Sequence, residues 1–293
     1  MHWFPASLTV AFLAASEAAL LKKFFGRERP LQMAALPMLY ILPVFLPLLA
    51  FMLASGRSLA APAEFWWITA ALVPLNSLGL LLQFAAVNLS PLSLTMPLLS
   101  FTPAFVVLVG YAWLNETVSP AGMAGIMAIV AGSYVLNLGS FRRNDVLAPF
   151  KALLREPGSR MMLWASLIYA LCAVMGKRQV QLMDPFFSAV VFWCLAAPFI
   201  LLTLRLTGHI RIRPMLRRPS LGIAVGLAMS GHFLLHMYAV ALVQTAYMIS
   251  IKRLSGLFSV LLGMAMFGER KVGPQLAGSL LMFLGVLGLT LGG

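Results

Sequence analysis

The sequence has few charged residues and few cysteines. Only 10% of its 293 residues are charged, whereas soluble domains carry about 25% charged residues, so a soluble globular protein is excluded. The two cysteines, Cys172 and Cys194, fall inside apolar runs, where free cysteine behaves as a small hydrophobic residue. We therefore expect no disulfide, no metal site and no cofactor.

Motifs of the common enzyme classes are missing as well. No H-E-x-x-H, G-x-S-x-G or Walker A pattern occurs, which argues against an enzyme. A net charge of +13 is compatible with a nucleic-acid partner, but the basic residues are spread over many loops without an aromatic stacking platform, so we expect none. The N-terminal residues lack the basic segment and the cleavage site of a signal peptide, and we expect the first apolar run to be retained.

The sequence is instead rich in apolar runs that are long enough to cross a bilayer. Hydrophobic residues make up 61% of the chain, and a transmembrane helix needs about 20 of them in succession. The pattern predicts an all-α integral membrane protein with ten transmembrane helices. The predicted spans are residues 4–21, 31–54, 65–89, 92–114, 118–140, 161–181, 185–206, 220–243, 246–267 and 272–292.

The chain consists of two related halves. A shift of 153 residues places Glu116 on Glu269, and a shift of 155 places Lys22 on Lys177. Each half holds five spans, an odd number, so the second repeat must enter the membrane inverted relative to the first. The predicted units are two five-helix repeats over residues 1–141 and 161–293 and a linker over 142–160.

The basic residues indicate which side faces the cytoplasm. The loops after spans 1, 3, 5, 7 and 9 hold 16 of the 21 Lys and Arg residues, and such residues accumulate in cytoplasmic loops. We predict a multi-pass protein of the cell inner membrane, surrounded by the lipid bilayer, with cytoplasmic loops at 22–29, 142–160 and 205–218. For the oligomeric state, the sequence is compatible with a monomer and with a homodimer.

Glycine and proline mark special positions in four spans. Pro97 and Pro103 should interrupt or kink span 4, and their repeat counterparts, Ser250 and Gly256, are also poor helix residues. Matching interruptions in both halves indicate a binding site near the membrane midplane. Spans 5 and 10 carry small residues that predict close helix contact, namely Gly122, Gly125, Gly132, Gly278, Gly285 and Gly288.

Glu17 is the one acidic residue well inside an apolar run. A charge at the centre of a membrane helix costs about 2.5–3.5 kcal/mol on insertion scales, so such residues usually have a role. We predict that Glu17 binds a substrate ammonium group or a proton, and a salt bridge to Lys22 or Lys23 is the alternative. Its repeat counterpart, Cys172, cannot share this role.

A polar track is predicted on spans 3 and 8. His232 and His236 are four residues apart and share one helix face, and Asn76 and Gln83 lie on the repeat-related span. These four side chains are predicted to hydrogen-bond to a substrate or to relay protons. Buried histidines that bond to neighbouring helices are the alternative.

Lys252 and Arg253 lie one to two turns into span 9. They can hold a substrate carboxylate or phosphate, for which arginine offers two parallel donors, whereas snorkelling to the headgroups is the alternative. Tyr238 and Tyr247 are also predicted to bind the substrate, because an aromatic ring can stack on a cation or on another ring. Interface aromatics are the alternative for both.

Two further acids, Glu116 and Glu269, end spans 4 and 9 just before a turn. The segment from Asn115 to Pro120 supplies a helix cap with proline at the start of the next helix. We interpret both acids as structural, with local donors as their partners.

Several segments resemble the EamA domain of the drug/metabolite transporter superfamily. They are SLTMPLLSFTP and VVLVGYAWLNE in the first half and SIKRLSGLFS and VLLGMAMFGE in the second. The resemblance covers nearly the whole chain and implies ten helices around a central cavity, with transport of small metabolites by alternating access. Members usually keep both termini in the cytoplasm, whereas the distribution of Lys and Arg here places both outside.

The first span lacks the Trp-Gly pair common in that family. Its run Ala14-Ala15-Ser16-Glu17 is similar to the first helix of the small multidrug resistance proteins, a related branch. In those proteins a glutamate in this setting binds protons and cationic substrates.

These features predict a secondary transporter of a small organic metabolite, an amino acid or an amine-like molecule, with possible coupling to protons. The ammonium group would lie near Glu17, and Lys252 is expected to approach from the opposite interface. A translocase of a lipid-linked or phosphorylated substrate and an uptake system for a quaternary amine such as choline are the alternatives. The former would use the basic residues for phosphate, and the latter Glu17 and aromatic rings.

Overall fold

The structure is a computed structural model that describes residues 2–137, 147, 150–151, 155–267 and 273–292. Within these ranges every regular element is an α-helix. The first half contains α1 (Trp3–Phe25), α2 (Pro30–Ala54), α3 (Ala63–Leu89), α4 (Leu92–Leu99), α5 (Thr102–Leu114) and α6 (Pro120–Asn137). The second half contains α7 (Pro157–Leu182), α8 (Pro185–Leu206), α9 (Ile212–Met215), α10 (Pro219–Leu242), α11 (Thr245–Lys252), α12 (Ser255–Phe267) and α13 (Gly273–Gly292).

The helices agree with the predicted membrane spans in type and order. In the described part of the chain, 8 helical segments are long and apolar enough to cross a membrane, and they correspond to spans 1–4 and 6–9. At spans 5 and 10 the apolar helices are shorter, Pro120–Leu136 and Ala277–Thr290. Helix α1 continues one turn beyond the predicted end at residue 21, and α7 begins before residue 161.

Proline explains where many of these helices begin. Proline has a fixed φ that suits a helix and no N–H group to leave unsatisfied, so it is favoured at the first helical position. Helices α2, α6, α7, α8 and α10 all start in this way, at Pro30, Pro120, Pro157, Pro185 and Pro219.

Spans 4 and 9 are broken at corresponding positions. Helix α4 ends at Leu99 and α5 begins at Thr102, while α11 ends at Lys252 and α12 begins at Ser255. Shifted by 153 residues, the first break falls on the second. Pro103 lacks the N–H group that would continue the helical hydrogen bonds through the first break. The interruption predicted in both halves is confirmed.

Contacts between the helices come in pairs that exchange when the two halves are swapped. Helix α1 packs on α10, α11 and α12, just as its counterpart α7 packs on α3, α4 and α5. Helix α2 packs on its own counterpart α8, and α6 on its counterpart α13. This is the contact pattern of two repeats related by a twofold exchange.

The α6–α13 contact depends on glycine. A Cβ atom added at Gly132 would lie 2.6 Å from the carbonyl oxygen of Gly278, and one added at Gly285 would lie 2.6 Å from that of Gly125. The backbones therefore approach directly, which is how helices associate when lipid supplies no hydrophobic drive. The close contact predicted from the small residues is confirmed.

Ion pairs connect the two halves at the end of the molecule where α3 begins and α7 finishes. Arg178 donates to both carboxylate oxygens of Glu64, from Nε at 2.6 Å and from Nη2 at 2.8 Å. Arg57 pairs with Asp184 at 3.0 Å. We call this the ion-paired end, and the end with the α1–α2 and α8–α10 loops the basic end.

Candidate functional site

A cavity of about 460 Å³ lies between the two halves, beside the break in span 9. Its wall includes residues of α1, α2 and α3 from the first half and of α7, α8, α10 and α11 from the second. The polar lining includes six of the nine predicted binding residues: Glu17, Asn76, His232, His236, Lys252 and Arg253. The fold thus collects on one cavity most of the side chains that the sequence singled out.

The break between α11 and α12 places two cations on this cavity. Lys252 is the last residue of α11, and Arg253 forms the turn that follows. The Lys252 ammonium group lies 5.7 Å from the centre of the Phe233 ring, a cation–π distance. The Nε atom of Arg253 is buried and has no hydrogen-bond partner within the described residues. Both residues line the cavity.

Glu17 reaches the same cavity from α1 and contacts α10. Its Oε2 atom lies 3.1 Å from Nδ1 of His232, and the two side chains are 17% and 7% exposed. Lys22, the alternative partner, lies over the Phe267 ring at 4.7 Å. The carboxylate is therefore held by a histidine of the opposite half.

Aromatic rings support the histidines from one side. The His232 ring stacks on Phe233 at a centroid distance of 4.5 Å, and Phe233 packs on Trp193 at 4.3 Å. Nε2 of His232 and Nδ1 of His236 are buried without a hydrogen-bond partner in the part of the chain that the structure describes. Buried polar atoms normally have partners, so these nitrogens are available to a bound molecule.

Glu17 and Lys252 are expected to approach from opposite interfaces. Both line the one cavity, because the break ends α11 at Lys252, inside the apolar segment Thr245–Phe267. A carboxylate and two cations can therefore act on the same molecule.

Gln83 and Tyr238 are not among the cavity-lining residues. Gln83 accepts a hydrogen bond of 2.7 Å from the hydroxyl of Tyr169, and Tyr169 does line the cavity. Gln83 thus orients a lining residue instead of facing the space itself. Tyr238 stacks on Phe186 with centroids 5.6 Å apart, and its role in binding stays a prediction.

Tyr247 is also outside the cavity lining. Only 2% of it is exposed, and its ring stacks on Trp3 at 6.3 Å. Its hydroxyl lies 3.3 Å from the backbone nitrogen and from Oγ of Ser119, so it joins α11 to the first half at the start of α6. Its predicted contact with substrate stays a prediction.

Two hydroxyl side chains at the breaks were not among the predicted binding residues. Thr102 and Ser255 both line the cavity, and each begins the helix that follows a break. They are repeat counterparts under the shift of 153 residues. A comparison of the two halves for hydroxyl groups at matching positions would have found them.

Glu116 holds the start of α11. It accepts hydrogen bonds from the backbone nitrogen of Thr245 at 2.9 Å and from its hydroxyl at 3.0 Å. The interpretation that its partners are local is wrong, because Thr245 belongs to the opposite half. Its counterpart Glu269 lies outside the described residues. Glu116 follows Asn115, whose φ of 54° ends α5 in the left-handed region.

Lys177 holds the end of α10 at the same joint. Its ammonium group donates to the carbonyl oxygens of Val240 at 2.6 Å, Ala241 at 3.3 Å and Val243 at 2.9 Å. The last carbonyl groups of a helix lack partners within the helix, and a buried cation satisfies them here. The joint between α10 and α11 is therefore fixed by one charged residue from each half.

Metal binding has no support in the described residues, where no group of three or more His, Cys, Asp or Glu side chains could hold an ion. The site is built from organic recognition groups: a carboxylate, two cations, imidazoles and hydroxyls. Such groups bind charged and hydrogen-bonding parts of a small molecule.

Comparisons with known proteins agree with this architecture. The family model of the EamA-like transporter family matches residues 2–138 and 157–291, one match in each half. A solved structure titled only "Crystal structure of protein" is 18% identical, covers 99% of this chain and 97% of its own, and superposes with a TM-score of 0.75. At that identity it shows a shared fold. No curated protein matches the sequence. Because the family model covers nearly the whole chain, the protein belongs to the EamA-like transporter family of the drug/metabolite transporter superfamily.

Proposed function

We propose that this protein is a secondary transporter of a small zwitterionic metabolite, such as an amino acid, across the inner membrane. The observation that carries the proposal is that Glu17 and the Lys252–Arg253 pair line one cavity. Its volume of about 460 Å³ lies within the range of about 300–1,000 Å³ typical of small-molecule sites. One acid and two bases can hold the two poles of an amino acid.

In the proposed complex the substrate carboxylate lies against Arg253 and Lys252. The guanidinium group binds a carboxylate with two parallel hydrogen bonds, and its Nε donor has no other partner among the described residues. The substrate ammonium group lies towards Glu17, which shares the cavity wall with the Phe233 ring. Hydrogen bonds to Thr102 and Ser255 complete the contacts from the two breaks.

The charges of the site favour a zwitterion over a simple cation. One carboxylate faces two cations, so a quaternary amine such as choline would enter a cavity with excess positive charge. A phosphorylated metabolite is the second candidate, because two adjacent cations suit a dianion. Lipid-linked phosphates belong to this second class.

Alternating access with ten spans in two inverted repeats is the proposed mechanism. The twofold exchange of helix contacts and the matching breaks in spans 4 and 9 support it, since both recur in inverted-repeat transporters. The basic loops would face the cytoplasm. Proton coupling is supported by the contact between Glu17 and His232, which places two protonatable groups in the cavity wall.

Three matched ligands test the proposal on purified protein by thermal shift: an amino acid, the amine without its carboxylate, and the acid without its amino group. We expect only the amino acid to stabilise the wild type strongly. Arg253→Gln should weaken amino-acid binding by about 10- to 150-fold, the loss of one charged hydrogen bond. Arg205→Gln, which changes an exposed cation at the end of α8, is the matched control.

Glu17→Gln should weaken binding of the amino acid but not of the deaminated acid, and should remove the pH dependence of transport in proteoliposomes. Equal stabilisation by the amine and the amino acid would contradict recognition of the carboxylate. Stabilisation by an organophosphate alone would favour the second candidate. A Glu17→Gln protein with a normal pH profile would show that proton coupling does not use this residue.

A further inference from the structure

The α8–α10 loop at the basic end presents an unusual concentration of arginine. Arg211, Arg213, Arg217 and Arg218 are all exposed, and the first three line a surface depression of about 590 Å³ together with Pro214 and Leu216. No carboxylate of the described residues pairs with the three arginines of the depression. Their charges are therefore open to an external anion.

This loop lies against the first half of the protein. Gln32 donates from Nε2 to the Arg211 carbonyl oxygen at 3.2 Å, and Arg218 donates from Nη1 to the Phe24 carbonyl oxygen at 3.4 Å. Gln32 lies one helical turn from Arg29, and Phe24 follows Lys23 in the chain. The loop that carries the arginines therefore packs beside the segment that carries Lys23 and Arg29, and we call Lys23, Arg29, Arg211, Arg213 and Arg217 the basic cluster.

The two repeats differ in charge at this place. At the ion-paired end, Glu64 and Asp184 each pair with an arginine of the opposite half. The shift of 155 residues places Asp184 on Arg29, and the shift of 153 places Glu64 on Arg217. Both acids of the ion-paired end thus have arginine counterparts at the basic end. Positive residues thus stand at this end in the places that acids occupy at the other, and an anion bound among them would reduce their mutual repulsion.

We propose that the basic cluster binds the headgroup of an anionic phospholipid, whose phosphate bridges the first half at Lys23 and Arg29 and the second half at Arg211 and Arg217. Basic pockets between membrane helices are known sites for anionic headgroups. The bound lipid supplies at this end the negative charge that Glu64 and Asp184 supply at the other.

A lipid fits the cluster better than free phosphate because apolar side chains adjoin it. Leu216 lines the same depression together with Pro214 and is 52% exposed. An exposed leucine beside arginines matches a molecule with an acyl chain next to a charged headgroup.

The test measures the thermal stability of the full-length protein in a mild non-ionic detergent with three additives: short-chain phosphatidylglycerol, phosphatidylcholine of the same chain length, and inorganic phosphate at equal ionic strength. We expect saturable stabilisation by phosphatidylglycerol alone. Arg211→Gln/Arg217→Gln should weaken it by about 25-fold, since each cation near an anionic surface contributes about fivefold. Arg155→Gln/Arg160→Gln removes the same charge elsewhere and should leave it unchanged.

Equal stabilisation by inorganic phosphate would overturn the proposal in favour of a simple anion site. Equal losses in the two double variants would overturn it in favour of a general effect of net charge. If Arg211→Gln/Arg217→Gln does not fold, native mass spectrometry of the wild type and Arg213→Gln decides. The wild type should retain phosphatidylglycerol with about fivefold higher affinity, and equal retention refutes the proposal.

Discussion

Gly132→Ala tests whether the α6–α13 contact holds the two halves together. The added Cβ atom would lie 2.6 Å from the Gly278 carbonyl oxygen, where ordinary contact begins at 3.4 Å. The helices must therefore separate locally by about 0.8 Å, the difference between the two distances. The carbonyl oxygen of Gly278 is a backbone atom, so the clash cannot be relieved without moving backbone. Packing of this kind is what holds membrane helices together.

The expected loss follows from two opposing effects. Overpacking costs about 1–3 kcal/mol, whereas alanine in place of glycine stabilises a helix by about 0.5–1 kcal/mol. We therefore expect Gly132→Ala to lose up to about 2.5 kcal/mol of unfolding free energy. Gly231→Ala is the control, because a Cβ atom there meets only Leu13 Cδ1 at 3.8 Å. Without a clash, it should gain about 0.5–1 kcal/mol.

The assay is titration with SDS from a mild detergent, with helix content followed by circular dichroism and the midpoint compared among the three proteins. The two substitutions should shift the midpoint in opposite directions. If Gly132→Ala is as stable as Gly231→Ala, the close backbone approach does not exist in the folded protein and the packing argument fails.

Three further substitutions probe the joints described above, each by the same SDS titration. Glu116→Ala leaves the Thr245 donors without their acceptor and should lower the free energy of unfolding by about 1–3 kcal/mol. The control Glu64→Ala, in an exposed ion pair, should lower it little. Equal losses in the two variants would contradict the role assigned to Glu116. Lys177→Met leaves the last α10 carbonyl groups unpaired and should lower the free energy of unfolding by about 1.5–3 kcal/mol. An unchanged stability would show that water replaces the ammonium group. Asn115→Ala should lose about 1–2 kcal/mol because φ is positive there, while Asn115→Gly should not, and identical effects of the two would refute the assignment.

The order and the type of the helices were accessible from the sequence because their causes are local. Long apolar runs, proline at helix starts and the self-similarity of the two halves are all visible along the chain. Even the breaks follow from Pro103 and from the poor helix residues at the matching positions, whereas Pro97 lies inside α4. Features with local causes can be predicted from the sequence without knowing which residues pack against them in the fold.

The direction in which a side chain points was not accessible in the same way. The position of Arg253 along span 9 gives its depth but not its side of the helix, so snorkelling and cavity lining could not be separated. The break decides the matter, because Arg253 forms the turn itself. Gln83 shows a second case, since its partner Tyr169, 86 positions away in the chain, takes the side chain out of the cavity lining.

Glu116 shows how a partner distant in sequence changes the meaning of a residue. A carboxylate before a turn ordinarily caps its own connection, and the sequence offered local donors for that purpose. Its actual partner, Thr245, is 129 positions away and starts the helix whose last residue is Lys252. Helix α11 has 8 residues, about 12 Å at 1.5 Å per residue. A ligand held by Lys252 and Arg253, as proposed above, would therefore lie one short helix away from the contact between Glu116 and Thr245, so that substrate binding and the relative position of the halves would depend on the same element.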